Sequence, residues 1–200
     1  MYGPVIWRIP GERREVYFTF DDGPSPVTTE RILKLLEKTD IKATFFCLGE
    51  NAQAYPPLVS LLKAAGHTVA NHGFRHLNAW SVDWHAFHKN VIKGRELTGS
   101  IWFRPPYGRL WPGYAARLQE EGIRTVMWDV LSGDYRLDVS RHEVLGRCMK
   151  LTRAGSIVVF HDQHRSWPVV EWVVPRLAEF LRKQGFNFSA LPPEPPFPVR

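Results

Sequence analysis

Between residues 16 and 191, short runs of β-branched and aromatic residues take turns with helix-spaced apolar stripes, joined by short connections. Parallel strands can share a sheet only through long crossovers, so this alternation predicts parallel βα units and an α/β fold. The strand-like runs are VYFTF (16–20), IKATFFC (41–47), HTVAN (67–71), WFR (102–104), IRTVMWD (123–129), SIVVF (156–160) and FNFSAL (186–191). Between them, Ile32, Leu35 and Leu36 mark a helix over 28–37. PPLVSLLKAAG (56–66) opens on prolines and stops at a glycine, as helices do. Phe87, Val91 and Leu97 predict a helix ending near Gly99, and another is expected over 114–121. Ser140 and Glu143 form a capping box ahead of Val144, Cys148 and Leu151. A last helix carries a kink at Pro175. With no repeat and no linker, the chain reads as one domain over 1–200, with a motif-bearing core at 16–191 and an extended, proline-rich tail at 192–200.

Several function classes are excluded or disfavoured at this level. No apolar run approaches the ~18 residues of a membrane span, and 44% hydrophobic with 23% charged residues is a globular composition. The net charge of +6 comes from scattered residues, so no dedicated nucleic-acid face is expected. Cys47 and Cys148 read as two buried free thiols. The first residues, MYGPVIWRIPGERR, are broken by Gly3, Pro4, Arg8 and Pro10 and offer no apolar stretch for a secretory leader. The location stays open on this reading: either the chain is cytoplasmic, or its leader is absent here.

Chemistry gathers where the strands end. Asp21 and Asp22 follow the first run, His72 and His76 the third, Arg104 the fourth, Asp129 and Asp134 the fifth, His161 and Asp162 the sixth. In a parallel sheet or barrel these ends share one face, where such folds place their sites. His72 and His76, at i and i+4, would face the same way on one helical turn. With Asp22 they make a three-ligand set that leaves coordination positions open, the arrangement of a catalytic metal. Such a metal lowers the pKa of water to about 7, and Asp21 is placed to accept the proton. Because side chains alternate along a strand, Asp21 and Asp22 are expected to face different ways. Arg104 is a candidate bidentate partner for Asp21, and the backbone N–H of Tyr107, past two prolines, is a candidate oxyanion donor. His161 suits proton donation to a leaving amine, with Asp134 to keep it charged. Asp162 and His164 are read as loop residues, and Trp80, Trp111 and Trp167 as aromatics in loop-like positions.

FTFDDGP, NHGFRH, FRPPYG, WDVLSGDY and IVVFHD occur in the order found in the polysaccharide deacetylase family, carbohydrate esterase family 4, and the chain resembles it over roughly 16–191. The resemblance implies a distorted (β/α) barrel of about seven parallel strands. It also implies a hydrolase that removes acetyl groups from sugars such as N-acetylglucosamine, in peptidoglycan, chitin-like or related glycans. The implied cofactor is a divalent metal, zinc first, with cobalt, nickel or manganese as substitutes. By position, Asp21 is implied as base, Asp22, His72 and His76 as ligands, Arg104 as partner of the base, Tyr107 in the oxyanion hole, and His161 as acid supported by Asp134. The implied partner is an acetylated oligo- or polysaccharide, and the family often acts at the cell envelope. Gly73 stands where the family usually has Ser or Thr, which implies looser metal binding through a lost hydroxyl bond. Leu131 and Tyr135 replace the usual Asp and Trp in the acetyl-pocket wall. Two other readings share parts of the pattern: a two-histidine, one-carboxylate iron oxygenase, and a non-catalytic sugar-binding protein on the same scaffold.

Overall fold

A computed structural model describes residues 4–11 and 13–193, so most of the expected tail, 194–200, lies outside the described residues. The strands are β1 (Val5–Ile6), β2 (Glu15–Asp21), β3 (Thr44–Cys47), β4 (Thr68–Asn71), β5 (Trp102–Phe103), β6 (Arg124–Val126), β7 (Val130–Leu131), β8 (Ile157–His161) and β9 (Asn187–Phe188). The helices are α1 (Thr28–Lys38), α2 (Gly49–Ala54), α3 (Pro56–Ala64), α4 (Trp84–Thr98), α5 (Tyr114–Glu120), α6 (Arg141–Leu151) and α7 (Trp167–Lys183). Eight strands follow one another in the order β1-β6-β5-β4-β3-β2-β8-β7, all paired in parallel, and β9 adds to the start of β2. The sheet curls into a (β/α) half-barrel. Beyond the seven strands expected, β1 and β7 are two-residue strands too short to leave a period in the sequence.

The alternation of β2 explains the curl. Val16, Phe18 and Phe20 point outward into a cluster with Ile32 and Leu36 of α1 and Val170, Val174 and Leu177 of α7. Phe20 stacks between Phe45 and Phe160, with ring centres 5.1 and 5.7 Å away. Tyr17, on the opposite face, meets Phe46, Ala70, Trp102, Val126 and Ile157. These six residues come from six different strands, so they converge only if the sheet wraps around them. Each fully buried side chain of this size contributes about 1.5–3 kcal/mol. Farther along the same inward face come Thr19 and Asp21, which makes the upper layer of the interior polar.

No ladder joins the edge strands β1 and β7 among the described residues. Just beyond β1, however, Arg8 bridges Ser156 in antiparallel fashion and the Ile9 N–H donates to the Gly155 carbonyl at 2.9 Å. Gly155 has φ +79°, and a Cβ there would sit 2.0 Å from the Ile9 carbonyl oxygen, so this close approach requires glycine. The capping box of Ser140 and Glu143 opens α6, and Gly99 closes α4 in the left-handed conformation. Helix α7 carries Pro175 in its interior, and both cysteines are buried and free. No helix among the described residues is long and apolar enough to cross a membrane.

Candidate active site

Asp21 is the last residue of β2, in register with Phe46 of β3 and His161 of β8. The expectation that Asp21 and Asp22 face opposite ways is not met, because both line one cavity. The strand stops at Asp21, and Asp22 takes φ +78°, a left-handed conformation that Asp tolerates better than most residues. Alternation therefore breaks between them, and Asp22 turns back toward the interior. Its carbonyl accepts from Asn51 Nδ2 at 2.8 Å, which holds the turn.

His72 and His76 do not lie on a helical turn, as their spacing suggested. They sit in an irregular loop after β4. Asn71 Oδ1 accepts the Gly73 N–H and Asn90 Oδ1 accepts the Arg75 N–H, each at 2.8 Å. Gly73, at φ +85°, allows the loop to turn, and a Cβ on it would fall 2.5 Å from Asn90 Nδ2. Amide side chains thus clamp this loop without a hydroxyl. Both histidines still reach Asp22: Oδ1 lies 3.5 Å from His72 Nε2 and 3.3 Å from His76 Nε2.

These three residues fit a divalent cation on several counts. Two ligands held about 2.1 Å from one ion at a tetrahedral angle stand about 3.4 Å apart, close to both spacings. One donor atom from each residue lies within 4.8 Å of the others. Asp22 Oδ1 is buried without a hydrogen-bond partner, an expense that a cation would remove. His72 Nδ1 faces the Arg104 carbonyl at 2.8 Å, which fixes the proton there and leaves Nε2 as a bare lone pair. Burial pushes the His72 pKa down to about 3, so the ring is neutral and ready to ligate.

Arg104, fully buried after β5, meets the acid through one nitrogen and is not bidentate toward it. Nη1 donates to Asp21 Oδ1 at 2.6 Å and to Thr19 Oγ1 at 2.8 Å, while Nη2 donates to the Met127 carbonyl at 3.0 Å. Its guanidinium also stacks 3.9 Å from the Phe46 ring centre. Tyr107 has φ +60°, in a turn whose bonds run from Gly108 N–H to Pro105 and from Arg109 N–H to Pro106. Neither uses the Tyr107 N–H.

His161 ends β8. Its Nδ1 lies 2.8 Å from Asp134 Oδ1, and its backbone N–H donates to Oδ2 of the same carboxylate, also at 2.8 Å. Burial would lower its pKa, but the Asp134 charge and hydrogen bond, aided by Asp21 and Asp22, raise it to about 9. Ser132 Oγ donates to Asp134 at 3.0 Å and holds that carboxylate in turn.

The cavity has a volume of about 300 Å³ and brings together Asp21, Asp22, His72, His76, Tyr107 and His161. Leu131 and Tyr135 are on its wall, with the Tyr135 ring edge-on to His161 at 4.8 Å. A larger hollow of about 480 Å³ beside α1 contains no comparable convergence of donors and lies away from the strand ends. Three sequence expectations change. Asp129 accepts from Ser156 Oγ and Ile157 N–H at the opposite end of β8, so it fastens the barrel floor and is not part of the cavity. Asp162 is buried, not a loose loop residue, and bonds Thr29 Oγ1 at 2.5 Å. Trp167 opens α7 and packs against the core. Gln163 joins the site unannounced by any motif: its Nε2 donates to Asp22 Oδ2 at 2.5 Å, and Arg165 Nε donates to its Oε1 at 2.6 Å. A lone glutamine in a loop has no sequence signature.

The family profile described as "Polysaccharide deacetylase" matches residues 8–126. The chain belongs to the polysaccharide deacetylase family. A peptidoglycan-N-acetylglucosamine deacetylase of Bacillus cereus is 29% identical over 194 residues, covering 92% of this chain and 69% of that protein. A chitooligosaccharide deacetylase of Bradyrhizobium sp. is 32% identical, covering 90% of each. Among solved structures, the Bc1960 peptidoglycan N-acetylglucosamine deacetylase superposes with a TM-score of 0.88 at 29% identity, covering 95% of this chain and 92% of that one. The polysaccharide deacetylase fold also carries a pseudoenzyme of Bacillus anthracis, with a TM-score of 0.82 at 23% identity. Family membership therefore does not by itself establish catalysis, which rests on the residues in the cavity.

Proposed function

We propose that this chain, acting as one domain, is a metal-dependent hydrolase that removes the N-acetyl group of N-acetylglucosamine-type units in an oligo- or polysaccharide. One observation carries the reading: the Arg104–Asp21 pair and the Asp134–His161 pair open onto the same cavity as Asp22, His72 and His76. An iron oxygenase has no use for either pair. Asp22, His72 and His76 would hold the metal, with zinc favoured by the nitrogen-rich set and cobalt, nickel or manganese as substitutes. When bound, it supplies a Lewis acid that brings the pKa of water from about 15.7 to about 7.

The rest is work for side chains. Asp21, aimed by Arg104, takes the proton of the attacking water as the water oxygen bonds to the acetyl carbon. The Tyr107 N–H donates to the carbonyl oxygen as negative charge gathers on it. His161, protonated at neutral pH, gives its proton to the nitrogen as the C–N bond breaks, and acetate and a free amine leave. An amide needs this donor because an unprotonated amine is a poor leaving group.

Acetate release from N-acetylglucosamine oligomers and from peptidoglycan, with each metal and with none, tests the proposal. The expected result is metal-dependent turnover that Asp21→Asn reduces by about 10²–10⁴-fold. Full turnover by Asp21→Asn would overturn the base assignment. Glycan binding without turnover under every metal would leave a sugar-binding protein on this scaffold.

A further inference from the structure

The cavity has a neighbour. A second hollow of about 530 Å³ adjoins it, and Asp22, His76, Tyr107, Gln163 and Arg165 line both. Asp22 and His76 therefore stand in the partition between two openings, whereas His72, Asp21 and His161 line the first alone. In that partition Asp22 is met by Gln163 and, behind it, Arg165, two side chains that the hydrolytic groups do not include.

The two oxygens of Asp22 have different surroundings. Oδ1 lies 3.5 and 3.3 Å from the Nε2 atoms of His72 and His76 and is buried with no hydrogen-bond partner. Oδ2 accepts from Gln163 Nε2 at 2.5 Å. The glutamine cannot reverse its amide, because Arg165 Nε donates to Oε1 at 2.6 Å and an arginine has no acceptor to offer an amide nitrogen. The backbone beneath is fixed as well. The Asp162 N–H donates to the Asp21 carbonyl at 2.8 Å, and the Gln163 carbonyl accepts the Ser166 and Trp167 N–H groups at 3.1 and 3.2 Å where α7 begins. On the other side Asn51 holds the Asp22 carbonyl. The carboxylate is thus gripped with one oxygen toward the histidines and the other engaged.

That division bears on which cation fits. An aspartate that ligates through both oxygens fills an additional position and suits ions that gather six ligands, such as manganese, whereas one oxygen and two imidazoles leave the three-ligand set of a four-coordinate ion such as zinc. Two-oxygen ligation would also break a short hydrogen bond to an ionised acceptor, one of the stronger kinds.

We propose that Gln163, oriented by Arg165, confines Asp22 to a single coordinating oxygen and so gives the site its preference for a four-coordinate cation over a six-coordinate one. Both are positioning residues, acting on the cation only through Asp22. This rests on the metal assignment above and not on the identity of the glycan.

For the test, metal-free wild type, Gln163→Leu, Arg165→Leu and the double variant are loaded with cobalt(II), whose visible absorption is intense when four-coordinate and weak when six-coordinate. Zinc and manganese affinities are measured alongside by chelator competition. The wild-type spectrum is expected to be intense and to weaken in Gln163→Leu, as Asp22 brings its second oxygen to the ion. The ratio of zinc to manganese affinity should fall about tenfold, at the lower end of what losing a ligand's hydrogen-bond partner does. Arg165→Leu should move both readouts the same way and add nothing in the double variant, because its effect passes through Gln163. An unchanged spectrum in Gln163→Leu, or equal weakening for both metals such as a merely structural role would give, would overturn the proposal. Additive effects in the double variant would overturn the relay from Arg165. Wild type that bound none of these cations would bring down the metal assignment and the proposal with it, whereas a chain that bound metal but released no acetate would still be judged by the same spectra.

Discussion

Asp134→Asn separates the charge on the proton donor from its position in the fold. Asp134 contacts His161 twice, through the ring and through the backbone, and it is the main reason the imidazole titrates near 9 despite burial. The gap between an ordinary ~6.5 and about 9 corresponds to roughly 3 kcal/mol at about 1.36 kcal/mol per pH unit. At pH 7.5 about 97% of the native rings carry the proton, against about 9% if the value returns to ~6.5. The donor form thus falls about tenfold before any loss of alignment. Since the folded value lies above the unfolded one, the stabilisation is fully present below pH ~6.5 and is lost as pH rises through about 9. Two measurements follow: the alkaline limb of the pH–rate profile for acetate release, and the His161 ring titration by NMR in metal-free protein. In metal-free protein the ring titration should move from about 9 to about 6.5 or lower in the variant, the alkaline limb should move down with it, and the stability gap between the two proteins in urea should narrow between those pH values. A ring titration and an alkaline limb that stay where wild type has them would refute this account of the acid.

Arg104→Met removes the guanidinium from a fully buried pair and leaves Asp21 uncompensated; unfolding in urea should report a loss of about 3–5 kcal/mol, and native-like stability would contradict the pairing. Gln163→Leu frees Asp22 Oδ2, so chelator competition should show zinc affinity weakened about 10–100-fold, whereas equal affinity would mean that Gln163 does not orient the carboxylate. Gly73→Ser restores the residue usual in the family but into a left-handed conformation against Asn90, so thermal melting should show destabilisation of about 1–3 kcal/mol, and a raised Tm would show that the amide clamp is no substitute for a hydroxyl.

Local patterns along the chain suffice for the kind of fold and the roster of chemistry. Strand-like runs of hydrophobic residues ending in Asp, His and Arg identify both a parallel α/β sheet and the edge where its reactive groups meet, because parallel strands all present their carboxyl ends to the same side. The longer helices and the capping box were readable for the same reason: their signals are local and repeat within a dozen residues. Elements of two residues such as β1 and β7 carry no such repeat. How the groups are aimed, in contrast, depends on the folded arrangement. A positive φ at Asp22 turns two adjacent acids into one cavity, the two histidines meet from a loop rather than a helical turn, and Asp129 falls at the far end of the barrel. Gln163 and its bond from Arg165 belong to the same category. Each depends on backbone dihedrals and on contacts between residues far apart in the chain, and these are set when the sheet closes around its core rather than by neighbours in sequence.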